Sequence, residues 1–462
     1  MKNLKVLGVV GSIRSNHKNI KKLERFILDS STQTELNQRI KDSKIIFSNS
    51  DIAVSHSLLA SKNYGSNIEI VSITDIFKHK KLGIYYDLMN YNSIDDIDEI
   101  DSLTLDESMF QELLKKVDKA DGIILGTPVY FGDRSSIANK FLQLTYKYKV
   151  LKGKGFGVVS TGAKRNGGQE TANIYSLQEA LAQEAIVVGN GPKTAQYGGT
   201  VWAGDTGKAI DDSFGLETCY GVGRQVAQLS EILNIGEYKS KPKITFVLTM
   251  DTEEKKYEKI LQKYIKRNLD SYNSKIYNLI DETIYRCIAC NVCPSPKMVE
   301  KLKSEDFPYH CVIQTKKDNM KHVQEALVNS DSIIFVGVNS HDDLIYRYQA
   351  FMERTRFIRH DDFELSNIPS VGMLISELGA TNNQIFNVKV LTSFIRHNTF
   401  FLKPVEIILK DGEVIYEDSF RNLIPFIEKI TSGREKIDPM EISYKATGYS
   451  NKTFDETKKL RK

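Results

Sequence analysis

The chain lacks the means for several ways of building a protein. Five cysteines in 462 residues are too few for a disulfide framework, and four of them fall between Cys287 and Cys311, so they form a local cluster suited to a reducing compartment. A dominant sign of charge is missing as well. Lys plus Arg total 63 against 59 for Asp plus Glu, a formal charge of +4, which provides no polyanion-binding surface and excludes a nucleic-acid partner from expectation. Long apolar runs are absent: nothing approaches the roughly 20 residues of a membrane helix. The opening MKNLKVLGVVGSIR breaks at Gly11 and Arg14, short of a secretory core segment. No membrane attachment and a cytoplasmic location are therefore expected.

What remains is ordinary globular composition, 41% hydrophobic and 26% charged, against a disordered, collagen-like or coiled-coil chain. At roughly 150 residues per domain the length favours two or three domains. In the first half, continuous apolar runs at 5–10, 68–73, 122–125, 156–160 and 185–188 read as buried parallel strands. Helical spacing at 109–117, 136–146 and 172–183 lies between them, which gives a doubly wound α/β sheet. Ligands then belong at the carboxyl ends of the strands.

After the charged stretch 239–242 the pattern resumes, with strands at 244–248, 332–336, 370–375 and 405–409. An offset of 210 pairs Asp121 with Asp331, Ile123 with Ile333, Ile124 with Ile334, Phe141 with Phe351 and Thr145 with Thr355. The reading is two tandem doubly wound domains, 1–238 and 243–433, then a polar tail at 434–462. Within 19–44, Ile20, Leu23, Ile27 and Leu28 share one helical face and suggest an inserted helix covering the sheet edge or a partner subunit. The acidic stretch 87–107 reads as a solvated loop.

Three strand-end loops carry the chemistry of the first half. GSIRS at 11–15 combines a glycine, the hydroxyls of Ser12 and Ser15, the charge of Arg14 and a following helix start, which together make a phosphate cradle. It is neither GxGxxG nor a Walker motif. TPVYFGD at 127–133 and TGAKRNGGQE at 161–170 offer backbone edges plus aromatic and apolar walls to a flat heteroaromatic ring, for which a flavin is the expectation. QYGGTVWAGD at 196–205 adds glycines and the only tryptophan, Trp202, either capping a ring face or lying in the core.

Together these loops resemble the flavodoxin-like NAD(P)H-dependent FMN reductases and quinone reductases over most of residues 1–235. The resemblance implies FMN, with its phosphate at Ser12 and Arg14 and its ring at Pro128, Val129, Tyr130, Phe131, Thr161, Gly162 and Gly168. Family members pass from GSxR almost directly into a Ser-Asn-Thr helix start, whereas here SNSD comes at 48–51. Residues 16–47 thus read as an insertion, and Ser48, Asn49 and Ser50 as further phosphate contacts, each with an ordinary helix cap as its alternative. The resemblance also implies a homo-oligomer with flavin near subunit contacts.

In the second half, Cys287, Cys290 and Cys293 form CxxCxxC followed by Pro294, with Cys311 further on. Such spacing wraps three corners of a [4Fe–4S] cubane with a distant fourth thiolate. Zinc on four thiolates, or on three with His310, is the rival. The position of the motif resembles that in iron-sulfur flavoproteins, although the gap before Cys311 is longer. The second half lacks GSxR; Asp251, Asp342 and Asp343 stand where they would repel a phosphate. Two degrees of function follow: a flavodoxin-like domain binding FMN, and a degenerate second one carrying the cluster. The chain is then an electron-transfer oxidoreductase acting between NAD(P)H or a reduced carrier and a small-molecule or protein acceptor, with no general acid or base required. The alternatives are an NAD(P)H:quinone reductase with structural zinc, and an electron-delivery or docking partner without turnover.

Overall fold

Buried Val, Ile and Leu runs in this chain find neighbours only by pairing side by side, and the computed structural model arranges them as parallel sheets. It describes residues 4–76, 106–191, 194–238, 241–290, 311–313, 315–339, 346–359, 364–380 and 383–437. Cys293, His310, Asp342, Asp343, most of the acidic stretch 87–107 and nearly all of the polar tail lie outside the described residues. Two compact units form: Met1–Gln183 with Gly198–Ala227, and Glu184–Tyr197 with Gln228–Lys462.

In the first unit, β1 (Lys5–Val10), β2 (Asn67–Ser72), β3 (Gly122–Tyr130) and β5 (Gly155–Gly162) are joined by β7 (Gly199–Trp202) in the parallel order β2-β1-β3-β5-β7. The short β4 (Asp133–Arg134) folds back antiparallel on the end of β3. That is the doubly wound order in which the strand sequence reverses at β1 and β3. Helices α4 (Glu107–Lys119), α5 (Ser136–Tyr148) and α6 (Gln169–Ala182) fall between strands, started by Asp106 accepting from the Met109 amide and Ser135 from that of Ala138, while Gly168 opens α6 in a left-handed turn.

The inserted segment forms two helices, α1 (His17–Leu28) and α2 (Gln33–Asp42), in place of one. The break has a cause in the sequence: Thr32 accepts from the Glu35 amide and starts a new helix after Ser30 and Ser31. Ile20, Leu23 and Ile27 are buried as expected, but Leu28 is half exposed. Beneath them, α3 (Asn49–Asn63) is buried from Ser50 to Ser61, so it carries no polar stripe. Its hydroxyls bond backbone instead: Ser57 Oγ and Ser61 Oγ donate to the carbonyls of Cys219 and Gly223 in α7 (Ser213–Ile235), at 2.7 and 2.8 Å. A side chain at Gly223 would collide with the Ser57 carbonyl oxygen, 1.7 Å from its Cβ.

The second unit repeats the pattern. β8 (Lys243–Leu248), β9 (Asn273–Asn278), β10 (Ser332–Asn339), β11 (Pro369–Glu377) and β13 (Val405–Lys410) lie parallel in the order β9-β8-β10-β11-β13, and β14 (Glu413–Glu417) runs antiparallel to β13. The short β12 (Phe400–Phe401) pairs with β11 and, antiparallel, with β6 (Ile186–Val187). The division therefore falls earlier than residues 239–242: Gly189 packs against Ile395, and Gly236 against the Lys429 carbonyl, so residues 184–197 and the end of α7 belong here.

Equivalent residues do equivalent work at the offset of 210. The Asp121 carboxylate accepts from the Lys5 amide and that of Asp331 from the Lys243 amide, both at 2.8 Å. At the opposite edge, the Gly11 amide donates to the Gly126 carbonyl and the Thr249 amide to that of Val336. Phe141 and Phe351 are both buried. No helix among the described residues is long and apolar enough to cross a membrane.

Two buried histidines tie stability to pH. His56 Nδ1 lies 2.9 Å from Gln33 Oε1, whose orientation is fixed because Gln33 Nε2 donates to Glu217, and its Nε2 lies 2.9 Å from the side-chain carboxamide of Asn37, which presents its NH2 to a neutral ring. Burial pushes His56 down to about 3, and burial aided by Arg359 pushes His397 equally low. The unfolded chain takes up protons near pH 6.5, where the folded chain does not, so stability is complete above that value and falls as pH drops toward 3. Urea unfolding between pH 6.5 and 4.5 is expected to show a loss of up to about 1.4 kcal/mol per pH unit for each histidine. The substitution His56→Gln should remove close to half of that slope, and an unchanged slope would contradict the assignment.

Candidate functional site

The carboxyl edge of the first sheet gathers four loops around one cavity of about 310 Å³. After β1 the chain turns at Gly11, where a Cβ would lie 2.7 Å from that of Ala138. The Ser12 carbonyl then accepts from the Ser15 amide at 2.9 Å and from Thr74 Oγ1 at 2.7 Å. Ser15 does not face a ligand. Its hydroxyl donates to Asp51 Oδ1 at 2.6 Å, and Asp51 Oδ2 accepts from the Ser48 amide at 2.8 Å while Ser48 Oγ accepts from the Asp51 amide. One buried carboxylate thus joins the residue just before the insertion to the residue just after it. The helix α3 returns to the loop that α1 and α2 had left.

That closure decides what the start of α3 presents. Ser48 satisfies the third amide of the helix, and among the described residues no protein group accepts from the amides of Asn49 and Ser50. The Asn49 side chain is committed to the loop beside it, donating to the Asp205 carbonyl and accepting from the Ala209 amide. Ser50 Oγ lies 3.2 Å from Thr161 Oγ1, and Arg14 donates to Thr206 Oγ1 at 2.6 Å. Helix amides, hydroxyls and one guanidinium thus belong to residues that line the cavity, a set suited to an anion.

The cavity is lined by Ser12, Arg14, Ser48, Asn49, Ser50, Pro128, Val129, Tyr130, Thr161 and Gly162 from the sequence-based set, and also by Ala163, Ala203, Gly204 and Asp205. All four belong to motifs already singled out; Ala163, Ala203 and Gly204 are too small to carry a chemical signature within them, and Asp205 is an acid whose backbone carbonyl accepts from the Asn49 side chain. Phe131 and Gly168 do not line it. Phe131 is wholly exposed at the β3–β4 turn with φ 50°. Gly168, at φ 96°, would place a Cβ 2.6 Å from the Gly132 Cα, so it brings the loops after β3 and β5 together. TPVY continues as strand to Tyr130 because β4 pairs with its end. Trp202 is neither core nor cavity wall; it stands half exposed on the rim.

In the second unit the same place is filled by the protein. Asp251 accepts from the amides of Tyr257 at 2.9 Å and Glu258 at 3.1 Å in the first turn of α8 (Lys256–Leu269), and from Asn278 Nδ2 at 2.8 Å. Thr252 Oγ1 accepts from the Lys256 amide. The first-turn amides that unit one leaves open are here consumed by side chains.

Cys287 and Cys290 follow β9, and Cys311 lies beyond; all three are partly exposed. A buried ion pair ties the flanks of this segment together. Arg354 donates to Asp318 at 2.8 and 3.1 Å and to the Tyr285 carbonyl at 2.8 Å, Asp318 accepts from the Tyr285 amide, and the Asn319 amide donates to the Thr283 carbonyl. Among the described residues, no three Cys, His, Asp or Glu side chains are gathered closely enough to hold a metal ion.

Removing the carboxylate that closes the insertion is expected to be costly, because the Ser15 hydroxyl and the Ser48 amide lose a buried acceptor. Asp51→Ala should lower the urea unfolding free energy by about 2–4 kcal/mol; a loss below 0.5 kcal/mol would deny Asp51 this role.

Comparison with known proteins agrees with this geometry. The model of the family described as NADPH-dependent FMN reductase matches residues 4–196. An iron-sulfur flavoprotein of Methanocaldococcus jannaschii is 38% identical over 143 residues, covering 30% of this chain and 67% of that protein. One from Methanosarcina thermophila is 30% identical over 138 residues, covering 29% and 68%. An NAD(P)H dehydrogenase (quinone) of Solidesulfovibrio magneticus is 30% identical over 135 residues, covering 26% and 66%. By these identities the chain belongs to the family of the iron-sulfur flavoproteins, with its residues 4–196 matching the NADPH-dependent FMN reductase model.

Proposed function

We propose that this chain is an FMN-dependent oxidoreductase that accepts reducing equivalents from NAD(P)H or a reduced carrier and delivers them to a small-molecule or protein acceptor, with one FMN in the first unit. The observation that supports it is the pair of unclaimed amides, Asn49 and Ser50, opening on a cavity with Ser12 and Arg14 at the same end. These residues would hold the phosphate. Pro128, Val129 and Tyr130 would wall one side of the isoalloxazine ring, with Thr161 and Gly162 turning backbone toward its polar edge. Gly162 suits that task because Gln169 occupies the space a side chain would need. When bound, FMN supplies the acceptance of hydride and the release of electrons; the protein binds it, orients it and limits solvent access.

The single flavin follows from Asp251. A carboxylate already on the α8 amides leaves no positive helix end for a second phosphate and would repel one. The cysteines of the second unit are proposed as ligands of a [4Fe–4S] cluster. The thiol set suits iron and sulfide, and the Arg354–Asp318 pair keeps the Cys287 and Cys311 flanks near one another. With no metal-holding group gathered among the described residues, no electron path is drawn through them. A quinone reductase with structural zinc on the same thiols is the second reading, supported by the quinone-reducing relative.

Anaerobic purification with flavin, iron, sulfide and zinc quantified together tests all of this. One FMN per chain and about four iron and four sulfide are expected. Zinc in their place would support the second reading, two FMN would overturn the role of Asp251, and protein that is folded yet takes up no added FMN would sink the proposal. Ser50→Asp, which puts an anion at the open amides, should weaken FMN binding at least tenfold by fluorescence titration.

A further inference from the structure

On the rim of the flavin cavity, outside its lining, stands a second built arrangement. Asp212, whose side chain is 3% exposed, accepts from Arg165 Nη2 at 2.6 Å, from the Trp202 amide at 2.7 Å and from the Gly215 amide at 3.1 Å. The Arg165 guanidinium lies over the Trp202 ring, 5.9 Å from its centre, and Trp202 Nε1 donates to the Ala163 carbonyl at 3.0 Å. Ala163 and Ala203, the neighbours of this pair, both line the cavity.

These contacts do more than join two loops. An arginine side chain ordinarily keeps much rotational freedom, which it must give up on binding an anion. Here one edge of the fork is fixed by a buried carboxylate and one face rests on an indole, yet the side chain remains 46% exposed. A fork held in this way offers its other N–H groups to solvent at the mouth of the site, already oriented. Planar bidentate recognition of phosphate is what a fixed guanidinium does best.

We propose that Arg165, oriented by Asp212 and Trp202, binds a phosphate group of the nicotinamide dinucleotide that reduces the flavin, and so determines donor affinity. The inference rests on the flavin reading above. Two phosphates of such a donor carry the required chemistry: the pyrophosphate common to NADH and NADPH, and the 2′-phosphate of NADPH alone.

The test uses the full chain loaded with FMN. Dissociation constants for 2′,5′-ADP, ADP and AMP are measured by calorimetry, and kcat and KM for NADPH and NADH are measured for the native protein, Arg165→Met, Arg165→Lys and Asp212→Asn. In Arg165→Met, a loss of about tenfold or more in affinity for 2′,5′-ADP and a matching rise in KM for NADPH alone would assign the 2′-phosphate. The same loss for ADP with both donors would assign the pyrophosphate. Arg165→Lys should recover part of the affinity, and Asp212→Asn should raise KM more than it lowers kcat. Unchanged affinities and KM values in Arg165→Met that still carries FMN would overturn the proposal. Failure of the native chain to bind FMN would instead remove the reading on which it rests, a result visible before any donor is added.

Discussion

Every helix begins with backbone amides that have no partner within the helix, and the way this chain satisfies them after the first strand of each unit governs all that follows. In the first unit the amides of Asn49 and Ser50 are left to the cavity; in the second, Asp251 and Thr252 take those of α8 for the protein. The two sheets share strand order and the same edge contacts, so the contrast is not one of fold. It is a choice between leaving a positive helix end open to a ligand and neutralising it with a carboxylate from the loop. An open end costs stability that a bound anion restores. A closed end frees the unit for other work, and the thiol-bearing segment beside β9 is where that work is proposed.

The inserted helices α1 and α2 would be expected to disturb such an arrangement, since they separate the glycine-opened loop from the helix it serves. They do not, because the interruption is closed by Asp51. The bonds to Ser15 and Ser48 put the end of the detour beside its beginning, and α1 covers the outer face of α3, whose buried polar groups beyond Asp51 then need partners within the protein. Ser55, Ser57 and Ser61 meet that need by donating to backbone carbonyls, and His56 by staying neutral between two amide side chains. The price of a covered helix is a histidine that cannot take up a proton at mildly acid pH.

Much of this could be read from the residues. Continuous apolar runs gave β1, β3, β5, β8, β10 and β11 closely, because strands buried on both faces cannot be written in any other way, and β13 through the alternation of buried Val405, Ile407 and Leu409. β9 escaped notice because Asn273–Asn278 is a half-polar edge strand, and β12 and β14 because they are two and five residues long. Ser12 and Arg14 were legible from a hydroxyl and a charge at a strand end, while Ser48, Asn49, Ser50 and most of the remaining lining came through the family resemblance. Ser15 was assigned to a ligand because a hydroxyl in a loop does not reveal which carboxylate lies opposite, and Asp51 is 36 residues away. Asp212 left no trace in the sequence for the same reason: its ion-pair partner Arg165 is 47 residues away and reaches it only in the folded protein.

The carboxylates of Asp121 and Asp331 sit at the amino ends of their sheets, each holding the amide that starts the first strand. They lie at the far end of the strands from the cavity of the first unit and from Asp251 of the second. Strand alignment is anchored at one end while chemistry is written at the other, so the rims are interchangeable parts on a common base. A chimera with the rim of one half grafted on the strands of the other would inherit its strand alignment from these anchors and its ligand from the graft, and the chain already contains both halves of the experiment.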